Sequence, residues 1–351
     1  MKPKLLFIVA ILFLLAACQP AAPTVAVAPA STPASTSPAS PTSIPATAYP
    51  TLAAASPTAP APTAPAATQA SASGPIQLTD GLNRSVSLAK PATRVVSMAP
   101  SVTEILYAVG AGPQVVGRDE FSDYPAEAKA LPSIGGSMGK YDFEAIAALK
   151  PDLVIAAGIN TPDQVKSLEN LGLTVYYLAN PTDLNGMYGE LQIVGKLTGQ
   201  DAQAAALIPT LKARVDAVTA KIAPLQNHPR VYYELDASDP TKPYTSGPGT
   251  FVDKLISLAG GQNIGSDLKD AWAQIGAEAV IAKNPQVILL GDGAYGITPQ
   301  SVSLRAGWSA IDAVKNNQVF VFDDNTVSRP TPRLVDGLET LAKLIHPEAF
   351  K

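Results

Sequence analysis

The chain has 351 residues, 46% of them hydrophobic, with 25 lysines and arginines against 29 aspartates and glutamates for a net charge of −4. That balance excludes a basic surface built to bind nucleic acid. A single cysteine excludes an intrachain disulfide framework, so any fold must be held by its core alone.

The chain opens on Lys2 and Lys4, continues through the apolar run Leu5-Leu6-Phe7-Ile8-Val9-Ala10-Ile11-Leu12-Phe13-Leu14, and closes on Leu15-Ala16-Ala17-Cys18. A charged start, a short apolar core and small residues before a cleavage point describe a secretory signal peptide, residues 1–18. The run is too short for a comfortable transmembrane helix, which needs about 20 apolar residues. The lone thiol at this point is similar to the lipobox cysteine of bacterial lipoproteins, so Cys18 is the expected lipidation site. Residues 19–74 contain no Asp, Glu, Lys or Arg and consist almost wholly of Ala, Pro, Thr and Ser. Such a segment cannot bury enough apolar surface to offset the entropy of ordering, and it reads as a disordered stalk spanning on the order of 40 Å as a coil. The expected protein is exported and tethered, at the outer face of the cell membrane or in the periplasm.

Beyond the stalk, strands and helices alternate. A hairpin is expected at 76–79 and 85–88 around Asp80-Gly81, then a β-branched strand at 94–98. Ser101-Val102-Thr103-Glu104 has capping-box spacing and predicts a helix from Ser101 to about Val109. Short apolar strands follow at 115–117, 153–156 and 174–177, with helical patterns at 161–171 and 184–198. Residues 201–223 predict one long helix with Pro209 as a kink or break. The alternation then restarts: strands at 230–233, 287–290 and 319–322, helices at 251–259 and 331–345. The fold class is α/β: a lobe at 75–200, an interlobe helix at 201–223 and a second lobe at 224–351. Strands with continuous apolar runs suit parallel sheets covered on both faces.

An internal repeat links the lobes. Glu144-Ala145-Ile146-Ala147-Ala148-Leu149-Lys150-Pro151-Asp152-Leu153-Val154-Ile155 matches Glu278-Ala279-Val280-Ile281-Ala282-Lys283-Asn284-Pro285-Gln286-Val287-Ile288-Leu289, 134 residues on. Taken singly, a glutamate in a first helical turn only complements the helix dipole. Recurring at the same place in both lobes, Glu144 and Glu278 predict a pseudo-symmetric pair of exposed carboxylates, suited to a two-fold partner with two basic sites.

The chain from Arg94 to Ile345 resembles the periplasmic binding proteins of ABC importers for cobalamin and ferric siderophores, most of all the cobalamin-binding branch. The matching pieces include residues 94–106, Ser122-Asp123-Tyr124-Pro125, both copies of the repeat, Pro243-Tyr244-Thr245-Ser246-Gly247, Ala259-Gly260-Gly261-Gln262-Asn263-Ile264, Trp272-Ala273-Gln274 and Ser328-Arg329-Pro330-Thr331-Pro332-Arg333. The resemblance implies two Rossmann-like lobes joined by one long backbone helix, the class III arrangement, with ligand bound between them. It implies that Glu144 and Glu278 dock onto arginines of a permease dimer whose ATPase subunits supply the energy. It places Tyr124, Tyr244, Trp272 and Arg329 at the ligand, where aromatic faces suit a planar macrocycle and a guanidinium binds amides or carboxylates. Where the cobalamin branch has tryptophans on either side of the first glutamate, this chain has Met138 and Ala157; Trp308 and Tyr141 are candidates to compensate.

Other chemistries have little footing. Two histidines, His228 and His346, each precede proline, so neither a metal centre nor a Ser-His-Asp triad is expected. Asp323-Asp324 reads as a strand-end turn. The expectation is a monomeric, non-enzymatic capture module with no cofactor, holding cobalamin or, alternatively, a ferric siderophore or haem. A surface receptor or adhesion lipoprotein on the same fold is the reading from another class.

Overall fold

The structure, a computed structural model, describes residues 74–351. The signal peptide, Cys18 and residues 19–73 lie outside the described residues. The described part begins with an antiparallel hairpin, β1 (Ile76–Thr79) and β2 (Ser85–Leu88). The first lobe then alternates β3 (Val95–Ser97), α1 (Pro100–Ala108), β4 (Val115–Arg118), α2 (Phe143–Ala148), β5 (Leu153–Ala156), α3 (Pro162–Asn170), β6 (Val175–Tyr177) and α4 (Leu184–Thr198). Its sheet has the order β4-β3-β5-β6 with every pairing parallel.

Helix α1 starts one residue earlier than the capping-box spacing implies. Pro100 takes the first helical position, where its missing N–H costs nothing, and Ala99 precedes it with no side-chain cap. Glu104 is therefore free of capping duty, and it is only 4% exposed.

The long helix α5 (Asp201–Ile222) leads to the second lobe and runs unbroken through Pro209. Pro209 and Ala205, whose carbonyl loses its intrahelical donor, are both exposed, so water can satisfy that carbonyl. The second lobe comprises β7 (Arg230–Asp236), β8 (Tyr244–Ser246), α6 (Phe251–Leu258), β9 (Gln262–Asn263), β10 (Trp272–Gln274), α7 (Ala277–Lys283), β11 (Val287–Leu290), α8 (Pro299–Ser303), α9 (Asp312–Lys315), β12 (Val319–Val321), α10 (Asn325–Ser328) and α11 (Arg333–Ile345). Strands β7, β11 and β12 pair in parallel, as the apolar runs imply. Beyond that expectation, β8 and β10 extend the sheet on antiparallel pairings, giving the order β10-β8-β7-β11-β12, with β9 alongside the start of β7.

The core has three parts. One cluster runs continuously from the α1 and α4 side of the first sheet, through Ile208, Leu211, Val218 and Ile222 of α5, to α6 and α11. Two smaller clusters cover the opposite faces of the sheets, around Ile146 and Val154 in the first lobe and around Trp308 and Ile288 in the second. Salt bridges from Arg214 of α5 to Asp336 (2.7 Å) and Glu339 (2.9 Å) of α11 tie the long helix to the second lobe.

Glu190 on α4 is a misfit in this core. Burial alone pushes its carboxyl up to about 8, from 4.5 for an exposed glutamate. A raised acid is neutral in the fold and charged in the unfolded chain, so its cost is absent below pH 4.5 and grows as pH rises toward 8. Glu190→Gln is expected to stabilise the protein at pH 8 by about 2–4 kcal/mol and by under about 1 kcal/mol at pH 5. Denaturant titrations at the two pH values decide it; a gain independent of pH contradicts the assignment.

Candidate functional site

The two glutamates of the repeat occupy equivalent places. Each is the second residue of its helix, Glu144 on α2 and Glu278 on α7, and each is exposed. Neither forms a salt bridge among the described residues. The equivalence extends into the backbone: Lys150 and Asn284, each preceding a proline, both take a left-handed conformation (φ 49° and 45°) that ends the helix sharply. It extends to an arginine immediately before β3 in the first lobe and at the first position of β7 in the second. Arg94 donates from Nη2 to the carbonyl of Leu149 (2.5 Å) and from Nε to that of Lys150 (3.1 Å). Arg230 donates from Nε to Lys283 (2.9 Å) and from Nη2 to Asn284 (2.8 Å). A guanidinium on the last carbonyls of a helix satisfies orphan acceptors and opposes the negative end of the dipole. The residue after each proline completes the unit: Asp152 accepts from the Arg94 amide (2.9 Å) and Gln286 from the Arg230 amide (3.1 Å). Both units feed directly into fully buried strands, β5 and β11.

Tyr244 and Trp272 come together on one sheet face. In the β8–β10 pairing Trp272 lies opposite Ser246 and Tyr244 opposite Gln274, so the two rings are diagonal neighbours. Trp272 is 43% exposed and Tyr244 is similarly open. Beside them, at the C-terminal ends of β7, β11 and β12, lies a cavity of about 710 Å3 lined by second-lobe residues, among them Tyr244, Tyr295 and Phe322. Carboxyl ends of parallel strands are where open α/β sheets hold ligands. The matching end of the first lobe presents Phe121, Met138 and Ile159, all exposed. Met138 stands 92% exposed on a left-handed turn (φ 49°), so an apolar side chain does face solvent where the resemblance expects tryptophan.

Tyr124 and Arg329 sit instead at the junction of the lobes, and neither lines the second-lobe cavity. Arg329 donates from Nη1 to Glu104 and to Asp123, each at 2.9 Å. Glu104 also accepts from the Thr331 hydroxyl (2.8 Å) and from Arg333 (3.3 Å). The Arg333 guanidinium lies 4.3 Å over the Tyr124 ring, a cation–π contact. Tyr124 faces a groove of about 340 Å3 between α1, α5 and α11, distinct from the second-lobe cavity. Much of the charge of Arg329 is thus engaged between lobes.

Trp308 is not available to replace a missing aromatic wall. It is fully buried, packed edge-on against Tyr232 (centroids 6.0 Å apart) with Arg305 over its ring at 4.6 Å. Tyr141 is half-buried, with its hydroxyl donating to the Met98 carbonyl (3.0 Å) and accepting from Asn160 (2.8 Å). His228 and His346 both lie against the carbonyl of Gly260. Asp236, Asp292 and Tyr295 escaped the sequence reading, although Asp236 and Asp292 sit just where the apolar runs of β7 and β11 stop, the signal that marks a cleft wall.

With this geometry in hand, comparison with known proteins is specific. The pattern of the family described as periplasmic binding protein matches residues 95–326, and the chain belongs to that family of substrate-binding transport proteins. It is 31% identical over 280 residues to an uncharacterized ABC transporter substrate-binding lipoprotein of Bacillus subtilis, covering 79% of this chain and 87% of that one. The crystal structure of the periplasmic vitamin B12 binding protein of Vibrio cholerae matches with a TM-score of 0.62 at 30% identity, covering 74% of this chain and 99% of that one. The periplasmic heme-binding protein of Roseiflexus sp. RS-1 matches at 0.65 and 26% identity, over 74% and 99%. The arrangement is that of class III periplasmic binding proteins, two α/β lobes on a long helix.

Proposed function

We propose that this protein is a lipid-anchored solute-binding protein that captures a corrinoid between its lobes and delivers it to an ABC importer, with Cys18 as the lipid-bearing residue and Glu144 and Glu278 as the contacts to the permease. The observation that carries the importer reading is the duplicated unit of arginine, glutamate helix and buried strand, which presents one carboxylate on each lobe in equivalent settings. The corrinoid assignment is supported by the paired exposed rings of Tyr244 and Trp272 beside a large cavity, and by the vitamin B12 binding relative. Aromatic faces bury much area at small entropic cost, which suits a rigid macrocycle.

Calorimetric titration of the protein with cyanocobalamin is expected to show sub-micromolar binding. Trp272→Ala is expected to weaken it about 30-fold, the loss of a centrally placed aromatic anchor. Haem or a ferric siderophore binding in its place would move the ligand to the alternative class and leave the importer role standing. Unaltered affinity in Trp272→Ala would remove that ring from the site.

A further inference from the structure

The cavity at the carboxyl ends of β7, β11 and β12 has a chemistry of its own. Four carboxylates line it, Asp236, Asp292, Asp323 and Asp324, and no lysine or arginine does. Three of the four are engaged, Asp236 through its Oδ1, which accepts from the Ser238 amide (2.8 Å). Asp323 is bonded to Arg333 (2.7 Å), and Asp324 accepts from the hydroxyls of Tyr233 and Ser328. Asp292 differs: it is 3% exposed, its Oδ2 accepts from the Ala237 amide (3.0 Å), and its Oδ1 is buried with no partner. Arg305, a cation whose charge acts on Asp292, is already committed, because it grips the buried Glu234 with both Nη atoms (2.5 and 2.8 Å). Burial and the Glu234 charge together hold the Asp292 carboxyl up at about 6. A buried acceptor left without a donor is destabilising, and a bound donor relieves that penalty.

We infer that this cavity is a charge-selecting subsite, with Asp292 and Asp236 as acceptors for N–H groups of a neutral or cationic ligand, and that it rejects anionic chelates. This rests on the reading that ligand lies between the lobes. A corrinoid carries neutral amide side chains rich in N–H donors; haem carries two carboxylates and a ferric tris-catecholate three negative charges. Placing such anions beside four carboxylates in a partly desolvated cavity is strongly unfavourable.

The test is a titration of the intact protein, Asp292→Asn and Asp236→Asn with four probes: cyanocobalamin, a cationic ferric trishydroxamate, haem and a ferric tris-catecholate. In the Asp292→Asn variant the Ala237 amide keeps a side-chain carbonyl oxygen as its acceptor, and the introduced NH2 takes the place of the unpartnered Oδ1, exchanging an acceptor for a donor. Asp292→Asn is expected to weaken cyanocobalamin at least tenfold with an unchanged or raised Tm, and Asp236→Asn to weaken it less. The two anionic probes are expected to bind at least 100-fold more weakly than cyanocobalamin. Binding of the cationic hydroxamate alone, weakened by Asp292→Asn, would support the subsite and overturn the corrinoid reading. Cyanocobalamin bound equally by all three proteins would overturn the subsite and keep that reading. Tight binding of an anionic probe, or of none of the four, would overturn both.

Discussion

Reversing both repeat glutamates, Glu144→Lys with Glu278→Lys, is expected to reduce ligand uptake by cells that depend on this protein to background, while the purified protein keeps its ligand affinity within about twofold. The side chains are exposed, stand on short helices and do not line the second-lobe cavity, so neither the core nor that cavity wall changes. A lysine in a first helical turn gives up a favourable dipole interaction worth only about 0.3–1 kcal/mol, so the fold persists. Across an interface the same change sets like charges against the partner's basic sites, which costs several kcal/mol at each of two contacts. Each single reversal should give an intermediate loss, because one docking point survives. Uptake by the double variant at the parental rate would remove the carboxylates from the delivery step.

Glu104→Ala is expected to cost about 3 kcal/mol of stability, read as a Tm drop of roughly 6–12 °C. Glu104 sits on α1 of the first lobe, yet its oxygens take bonds from Arg329, Thr331 and Arg333 of the second. Removing it leaves two partly buried guanidinium groups whose remaining carboxylate partners, Asp123 and Asp323, are both at the surface. Breaking a buried pair by deleting one partner is far more costly than replacing the pair, since an uncompensated charge stays behind. A double-mutant cycle with Arg329→Ala should recover a coupling of at least about 1 kcal/mol. A loss below about 1 kcal/mol for Glu104→Ala would mean that the packed core of α5 alone holds the lobes together.

Period and run length made most of the fold legible. Residues 184–198 read as a helix because their apolar positions recur at helical spacing, and α4 spans Leu184–Thr198. The parallel strands read as strands because both faces are covered and the runs are continuous. What stayed hidden was decided by partners far apart in the chain. Ser101-Val102-Thr103-Glu104 spelled a capping box, but Glu104 is claimed by residues more than 220 positions away, and Pro100 starts the helix instead. Trp308 looked available as an aromatic wall, because no local pattern announces that Tyr232 and Arg305 enclose it. The antiparallel β8 and β10 are three residues each, too short to show a period, although they carry Tyr244 and Trp272. The duplicated unit was half visible: the glutamate, the proline and the strand repeat in sequence, whereas Arg94 and Arg230 join it only through the fold.

That arginine anchorage has a mechanical consequence. A carboxylate carried on a loose loop would report nothing about the body beneath it. Here each carboxylate rides on a helix pinned at its far end to the opening strand of its own lobe, so it moves as that lobe moves. The two tips behave as the jaws of a calliper, and their separation is a length that changes only when one lobe turns against the other. A partner that gripped both tips, as proposed for the permease, would gauge the angle of the cleft without touching what lies inside it.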